Sequence, residues 1–376
     1  MKKIVWIICI TFVGLFSSCS DNDYVNVIPR NSIALISFDA SQTTPSASLL
    51  SELDSCGVDL QSKVYFFETS DGMLGLCAKM DDVGKMVSWL KTKVNSGDCE
   101  QLMERSDINY AFYKHAWQIG YNESMVLILG PIVATQQPQT QMQIANYFHQ
   151  DESRSIRASR MFQRLDSIGG SVSMVAQTVA LPERYVAPFT LGAPPDADPS
   201  EIFIAAQLTA DDRILHIKGN TFSFNKRLEK ALRTAKPTFR PLGAQLAEKL
   251  CADDEIAILM NAKGQALMPL LHQDKALKAL MAGMNLTIDI DSILRSVDGD
   301  MLFRFGKGKA EFLCGKELEA LSSNPESLPF VRLTSNKRLC MVLRLTALGD
   351  EAAITAASFL QPLFGNINTI VYTTEP

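Results

Sequence analysis

The stretch "SKVYFFETSDGMLGLCAKM", residues 62–80, constrains the fold more than any other part of the chain. Two runs rich in aromatic and aliphatic residues flank Ser70-Asp71-Gly72, and a small polar triplet ending in glycine between two such runs is a hairpin signal. Directly after it, Asp81 or Asp82 is placed to cap a helix whose apolar positions Val83, Met86, Val87, Leu90 and Val94 fall on one face. Strands laid in meandering pairs with helices grouped between them predict an α+β fold with largely antiparallel sheets.

The same pattern recurs along the chain. Ile33–Phe38 reads as a buried strand, followed by a loop and a helix over Ala47–Leu53. Strands are expected over Asn109–Lys114, Ala116–Gly120 and Met125–Leu129. Residues 139–166 are polar and helix-prone, anchored by Ile156, Met161, Phe162 and Leu165. "EIFIAAQLT" and "RILHIKGN" form a further pair turning at Ala210-Asp211-Asp212, and a helix runs from about Lys226 to Arg233. Between these parts lies "VAPFTLGAPPDADPS", residues 186–200, whose prolines at 188, 194, 195 and 199 block helix and ladder alike. It is either a linker or a long hairpin loop, and it divides the chain into α+β domains over 25–185 and 201–376.

These two halves share a pattern. "SIALISFDAS" (32–41) aligns with "EIAILMNAKG" (255–264), and each is followed by a helical stretch and a strand near a Val-Asp pair, "VDLQSKVYFF" and "VDGDMLFRF". Two readings stay open: diverged copies of one unit, or a chance likeness of two strand–helix–strand segments. Both Ile33–Ile36 and Ile256–Leu259 are apolar at successive positions, as strands buried on both faces require. Duplication therefore predicts equivalent central strands for them.

The N-terminus supplies an address. Lys2 and Lys3 precede a thirteen-residue apolar run, Ile4–Phe16, broken only by Thr11 and Gly14. Spanning a bilayer takes about 20 residues, so residues 1–18 read as a secretory signal peptide rather than a membrane helix. Ser17-Ser18-Cys19 resembles the bacterial lipobox, with Phe16 standing where leucine is commonest. The resemblance implies lipid attachment at Cys19: a diacylglycerol on the thiol and a further acyl chain of the palmitate kind. Two or three such chains anchor a protein stably where one is marginal. The alternative is a plain signal cleaved after Ser18 with Cys19 free. Residues 19–24 then form a solvated tether, and its "SDND" resembles the acidic tract that sends Bacteroidota lipoproteins to the outer leaflet of the outer membrane.

Composition narrows the partners. The chain carries 36 basic and 41 acidic residues for a net charge of −5, and loss of Lys2 and Lys3 makes the remainder more acidic still. With no basic stripe, nucleic acid is excluded as a partner. At 47% hydrophobic residues the chain is globular and well supplied with core. Cys77 and Cys340 lie in apolar strand-like runs and read as buried thiols. Cys56 and Cys99 occupy turn-like sequences and read as exposed. No CxxC spacing occurs, so neither a zinc ribbon nor a redox pair is indicated.

"YVNVIPRNSIALISFD", "CGVDLQSKVYFF", the Asp-led helix and "AWQIGYNESMVLIL" together resemble a domain-of-unknown-function family of Bacteroidota cell-envelope lipoproteins, in which a V-I-P-x-x-A-x-x-V opening follows the lipid tether. The likeness is clear over residues 24–180 and looser beyond, and Asn31-Ser32-Ile33 departs from the small residues usual there. Membership implies an envelope lipoprotein and brings no catalytic residues.

Motifs for chemistry are scarce. His115, His149, His216 and His272 include no pair at metal-ligand spacing, and HExxH and GxSxG are absent. His216 alternates along a strand and reads as structural. "FGKGKAEF" lacks the upstream glycine and the Ser/Thr of a phosphate loop and reads as a turn. In "DIDSILRSVDGD", Ile293 and Leu294 stand where a calcium loop needs Asp or Asn and Gly. Asp289 or Asp291 instead caps a short helix, and Asp298-Gly299 turns into a strand. Trp89 and Trp117 are the only tryptophans beyond the signal, fewer than a sugar platform favours, and Trp117 shares a strand face with Ile119 and Tyr121. Two "DSI" triplets, Asp166–Ile168 and Asp291–Ile293, resemble an O-glycan acceptor of the same lineage. The expectation is a non-enzymatic binding or scaffolding protein without metal or cofactor, held to the membrane by its lipid and facing a protein or glycan partner. The rival is an envelope hydrolase acting on glycan or peptide through carboxylates that converge only in three dimensions.

Overall fold

The opening "YVNVIP" is too apolar to remain in water, and the chain buries it at once. In the computed structural model, which describes residues 23–41, 53–181, 186–211, 213–243, 249–250, 254–285, 289–306, 308–314, 337–345 and 364–374, Asp23–Val27 form a 3-10 turn with Tyr24, Val25 and Val27 buried. Residues 1–22, with the expected signal peptide and Cys19, lie outside the described residues. So does most of the helix expected over Ala47–Leu53. The described chain gathers into two compact units, one from residues up to Ser32 and Leu53–Gln163, the other from residues of Ile33–Glu52 and Arg164–Pro376. Strands and helices are numbered along the chain, so β1 (Ala34–Phe38) belongs to the second unit although most of the first follows it.

The first unit is an antiparallel sheet in the order β2-β3-β7-β6-β5-β4. The predicted hairpin is β2 (Val64–Glu68) with β3 (Leu74–Lys79), and Gly72 in its turn takes φ +81°. Asp82, of the two candidates, caps α1 (Val83–Asn95) by accepting from the Lys85 N–H at 3.1 Å, and the helix buries Met86 and Leu90. The meander β4 (Met103–Arg105), β5 (Ile108–Tyr113), β6 (Trp117–Tyr121) and β7 (Met125–Gly130) follows. Helix α2 (Gln137–Phe148) lies close against β6. A Cβ on Gly120 would come within 2.5 Å of Ile144 Cγ2, so glycine there lets the helix sit down on the sheet. The opening motif docks into this unit. The Cys77 Sγ lies 3.2 Å from the Tyr24 carbonyl, the Tyr24 hydroxyl donates to the Lys63 carbonyl at 2.7 Å, and the Ile156 N–H donates to the Ile28 carbonyl at 2.8 Å. Its apolar letters are thus packing contacts.

Helix α3 (Arg160–Asp166) leads the chain into the second unit. Its strands are β1, β8 (Val172–Gln177), β9 (Ile202–Asp211), β10 (Ile214–Ser223), β12 (Ile256–Lys263), β13 (Asp298–Gly306), β14 (Lys309–Cys314), β15 (Leu339–Arg344) and β16 (Thr369–Thr374). They run in the order β14-β13-β12-β15-β16-β10-β9-β8-β1, and the short β11 (Phe239–Arg240) pairs with β12. Every described pairing in it is antiparallel except β10 with β16. Ala257, Leu259, Leu302, Cys340, Val342 and Val371 form the core on one face. Helices α4 (Ala187–Thr190), α5 (Lys226–Ala235), α6 (Gly264–Gln273), α7 (Lys275–Met284) and α8 (Ile290–Ser296) complete the unit.

The α+β class and the antiparallel rule hold. Both apolar runs singled out for duplication are strands, β1 and β12, and both belong to the second unit. The turn between β9 and β10 sits later than expected, with Arg213 in the left-handed region at φ +66°. Of "FGKGKAEF", Phe305 and Gly306 end β13 and pair with Ala310 and Lys309 of β14, and Gly308 has φ +72°. The proline-dense stretch 186–200 contains α4 and lies within the second unit.

Candidate functional site

Antiparallel neighbours can be joined by a hairpin turn, whereas in a parallel pair both chains leave at the same end and no hairpin can join them. β10 and β16 are such a pair, in register from Ile214 with Thr369 to Gly219 with Thr374. At their C-terminal end the structure opens a cleft of about 80 Å³, room for roughly half a dozen water-sized groups.

Its walls are apolar for reasons local to each segment. Phe189 of α4 packs edge-on against Tyr372 of β16, ring centroids 4.6 Å apart, and so carries Leu191 to the rim. Burial raises the Tyr372 phenol far above its ordinary value, so it keeps its proton. Helix α5 is amphipathic, with Leu228, Leu232 and Ala235 buried and Arg227, Lys230 and Arg233 outside. Pro237 cannot continue it. The helix therefore ends by presenting Leu232, Ala235 and Lys236 to the cleft, opposite Leu339 of β15.

Two cations stand among these walls. Lys236 Nζ donates to Asn220 Oδ1 at 3.2 Å, and Arg338 Nη1 donates to the Lys236 carbonyl at 3.3 Å. Arg338 Nε is buried and has no hydrogen-bond partner. Among the described residues neither cation pairs with a carboxylate. An ammonium and a guanidinium on one rim are the side chains that attract an anion.

The residues flagged by sequence fall elsewhere. His216 Nε2 lies 2.7 Å from Thr373 Oγ1, and burial, helped by Lys337 and Lys218, lowers its pKa to about 4, which fits a neutral structural histidine. His272 lies 3.2 Å from Asp291, and His149 lies 3.6 Å from Asp107. Asp289 is the cap of α8, accepting from the Ser292 N–H at 3.1 Å. Among the described residues no group of three or more His, Cys, Asp and Glu is arranged to hold a metal, and no helix is long and apolar enough to cross a membrane. Trp89 is half-buried with its ring 5.6 Å from Tyr113, and Trp117 is half-buried on β6. Cys56 and Cys99, expected at exposed turns, are buried free thiols. Gly57 turns the chain back so that its carbonyl accepts from the N–H groups of Asp81 and Asp82, and Cys99 bridges to Tyr113.

Glu68, at the end of β2, is the carboxylate among the described residues whose pKa stands above its ordinary value, and burial alone is the cause. No second acid takes part. A carboxyl with a raised folded-state pKa lends its stability below the unfolded value of about 4.3 and loses it as pH rises through the folded value. Glu68→Gln is therefore expected to raise the thermal midpoint at pH 7, with the gap closing by about pH 4. Calorimetry across that range checks it, and an unchanged midpoint at pH 7 would contradict the burial of the charge.

The family described as "Domain of unknown function (DUF4836)" matches residues 24–307. The chain belongs to it. The DUF4836 match covers the whole first unit from Tyr24 and runs through β13 of the second. Two structures of TP0453, its crystal forms I and IV, each align with this DUF4836 chain at a TM-score of 0.31 and 10% identity. The alignments cover 51% of it and 74% and 76% of those chains, a likeness too slight to carry an argument. No curated protein matches it.

Proposed function

We propose that this chain is a lipid-anchored envelope protein of the outer membrane, facing the cell surface, that binds a small ligand in the cleft at the ends of β10 and β16 without transforming it. The cleft carries the binding half of this reading. It joins apolar walls to two cations that, among the described residues, pair with no carboxylate. The anchor half rests on Ser17-Ser18-Cys19 after a charged and then apolar leader, and on the acidic residues that follow. In this arrangement Cys19 carries the lipid, the residues after it span the gap to the membrane, and the folded units meet whatever the cell surface encounters.

The anchor is tested by metabolic labelling with an alkyne fatty acid. The native chain takes the label and Cys19→Ala loses it, and equal labelling of the two overturns the anchor. Protease added to intact cells is expected to release the folded part. Protection until the outer membrane is broken would place the protein on the periplasmic side.

A further inference from the structure

We infer that the ligand of this cleft is a small oxyanion, a carboxylate or a phosphate monoester, carried on a compact apolar body, with the anion held by Arg338 and Lys236. The inference rests on the reading of the cleft as a ligand site and specifies what fills it.

The argument starts from what Arg338 lacks. The Arg338 side chain is half-buried, and a donor met neither by water nor by protein is destabilising. A C-terminal helix carbonyl suits a cation, so one bland account makes Arg338 a cap for the end of α5. That account uses Nη1 alone, through the Lys236 carbonyl. It leaves Nε buried with nothing to donate to. An oxyanion engages a guanidinium through charge-assisted hydrogen bonds, and with Nε out of solvent's reach the half-buried side chain offers it the Nη edge. Lys236 supplies the second charge from the same rim. Among the described residues its acceptor is the neutral amide oxygen of Asn220 at 3.2 Å, which an anion displaces readily.

The size and surface of the cleft settle the rest of the molecule. About 80 Å³ suits a body of roughly half a dozen heavy atoms inside the cleft. Phe189, Leu191, Leu232 and Leu339 offer that body no hydrogen bonds, so it is apolar, while Thr221 and Thr374 provide hydroxyls near the strand ends. A free sugar or polyol would leave its hydroxyls unpaired against these walls.

The test is calorimetry and ligand-observed NMR on the full chain with butanoate, benzoate, phenyl phosphate and the neutral benzamide. The anions are expected to bind at least tenfold more tightly than benzamide, and the preferred anion shows whether the head is a carboxylate or a phosphate. Arg338→Gln should weaken the anions tenfold or more and leave benzamide unchanged, while Lys236→Gln should weaken them several-fold and flatten their salt dependence. Leu191→Trp, which narrows the cleft, should abolish binding of every probe. Far-UV circular dichroism and melting of each variant identify any that fail to fold. If Arg338 is only a helix cap, Arg338→Gln lowers the melting temperature and leaves the preference for anions intact, and the inference falls. If benzamide binds as well as benzoate and Leu191→Trp removes both, the cleft is a ligand site but the anion assignment is wrong. If no probe binds, the cleft itself is not the site and the reading beneath the inference fails with it.

Discussion

Gly264→Ala is expected to destabilise the second unit by about 3 kcal/mol, lowering its melting temperature by roughly 10 °C. A Cβ at this position would stand 1.6 Å from the Leu294 carbonyl oxygen, 2.7 Å from its carbonyl carbon and 3.1 Å from the Arg295 Cα. All three are backbone atoms, so no side chain can swing aside to make room. Gly264 cannot retreat either, because its N–H donates to the Val297 carbonyl at 2.8 Å. Only separation of α6 from α8 relieves the overlap, and α8 is held by its Asp289 cap and by the buried Ile290 and Leu294. Differential scanning calorimetry of the variant is the check. A midpoint within 2 °C or so of the native one would mean that the two helices do not meet at this glycine.

Leu228→Ala should cost a similar amount, about 3 kcal/mol, by a different route. Leu228 is fully buried on α5 in a cluster with Ala193, Ile202 and Leu232. Removing its isobutyl group leaves a void that neighbours fixed by α5 and β9 fill poorly. Leu228→Met, which keeps most of the volume, is expected to cost less than about 1.5 kcal/mol. Because α5 carries Leu232, Ala235 and Lys236 to the cleft, the alanine variant should also loosen anion binding while the methionine variant keeps it. Equal melting temperatures for the two would show that packing at Leu228 does not hold this helix.

How much of this was legible depends on how local each signal is. The hairpin of β2 and β3, the meander of β5 to β7 and helices α1 and α5 each carry their periodicity, turn residues or cap within a short span. β8 does not. "VSMVAQ" mixes small and polar residues, and its partners β1 and β9 supply the pairing that its own composition leaves unannounced. β16, "TIVYTT", has three threonines and a parallel partner far back in the chain, with no turn to point at it. The buried state of Cys56 and Cys99 was misread because glycine and aspartate neighbours signal a turn without saying whether another segment covers it. The cleft was invisible for a related reason. Phe189, Thr221, Lys236, Arg338 and Thr374 come from five separate segments, and each has an ordinary reading where it stands. Cys19 is a different case: the lipid attachment proposed for it rests on a contiguous motif that needs no fold, and it lies outside the described residues.

The two distant pairings of the second unit also set an order of events. β1 must find β8 across the whole of residues 53–163, with Ala34 against Ala176, and β10 must wait for β16, with Ile214 against Thr369. Closing loops of this length is entropically unfavourable until the contacts form, so sheets built on such pairings fold slowly. A ribosome makes β1 first and β16 last. The earliest strand therefore remains unpaired with β8 while well over a hundred residues are added, and β10 cannot gain its parallel neighbour until Thr369–Thr374 have emerged. During that interval the described sheet of the second unit is split, because β16 is the strand that joins β10 to β15, and it becomes continuous only once Thr369–Thr374 are made.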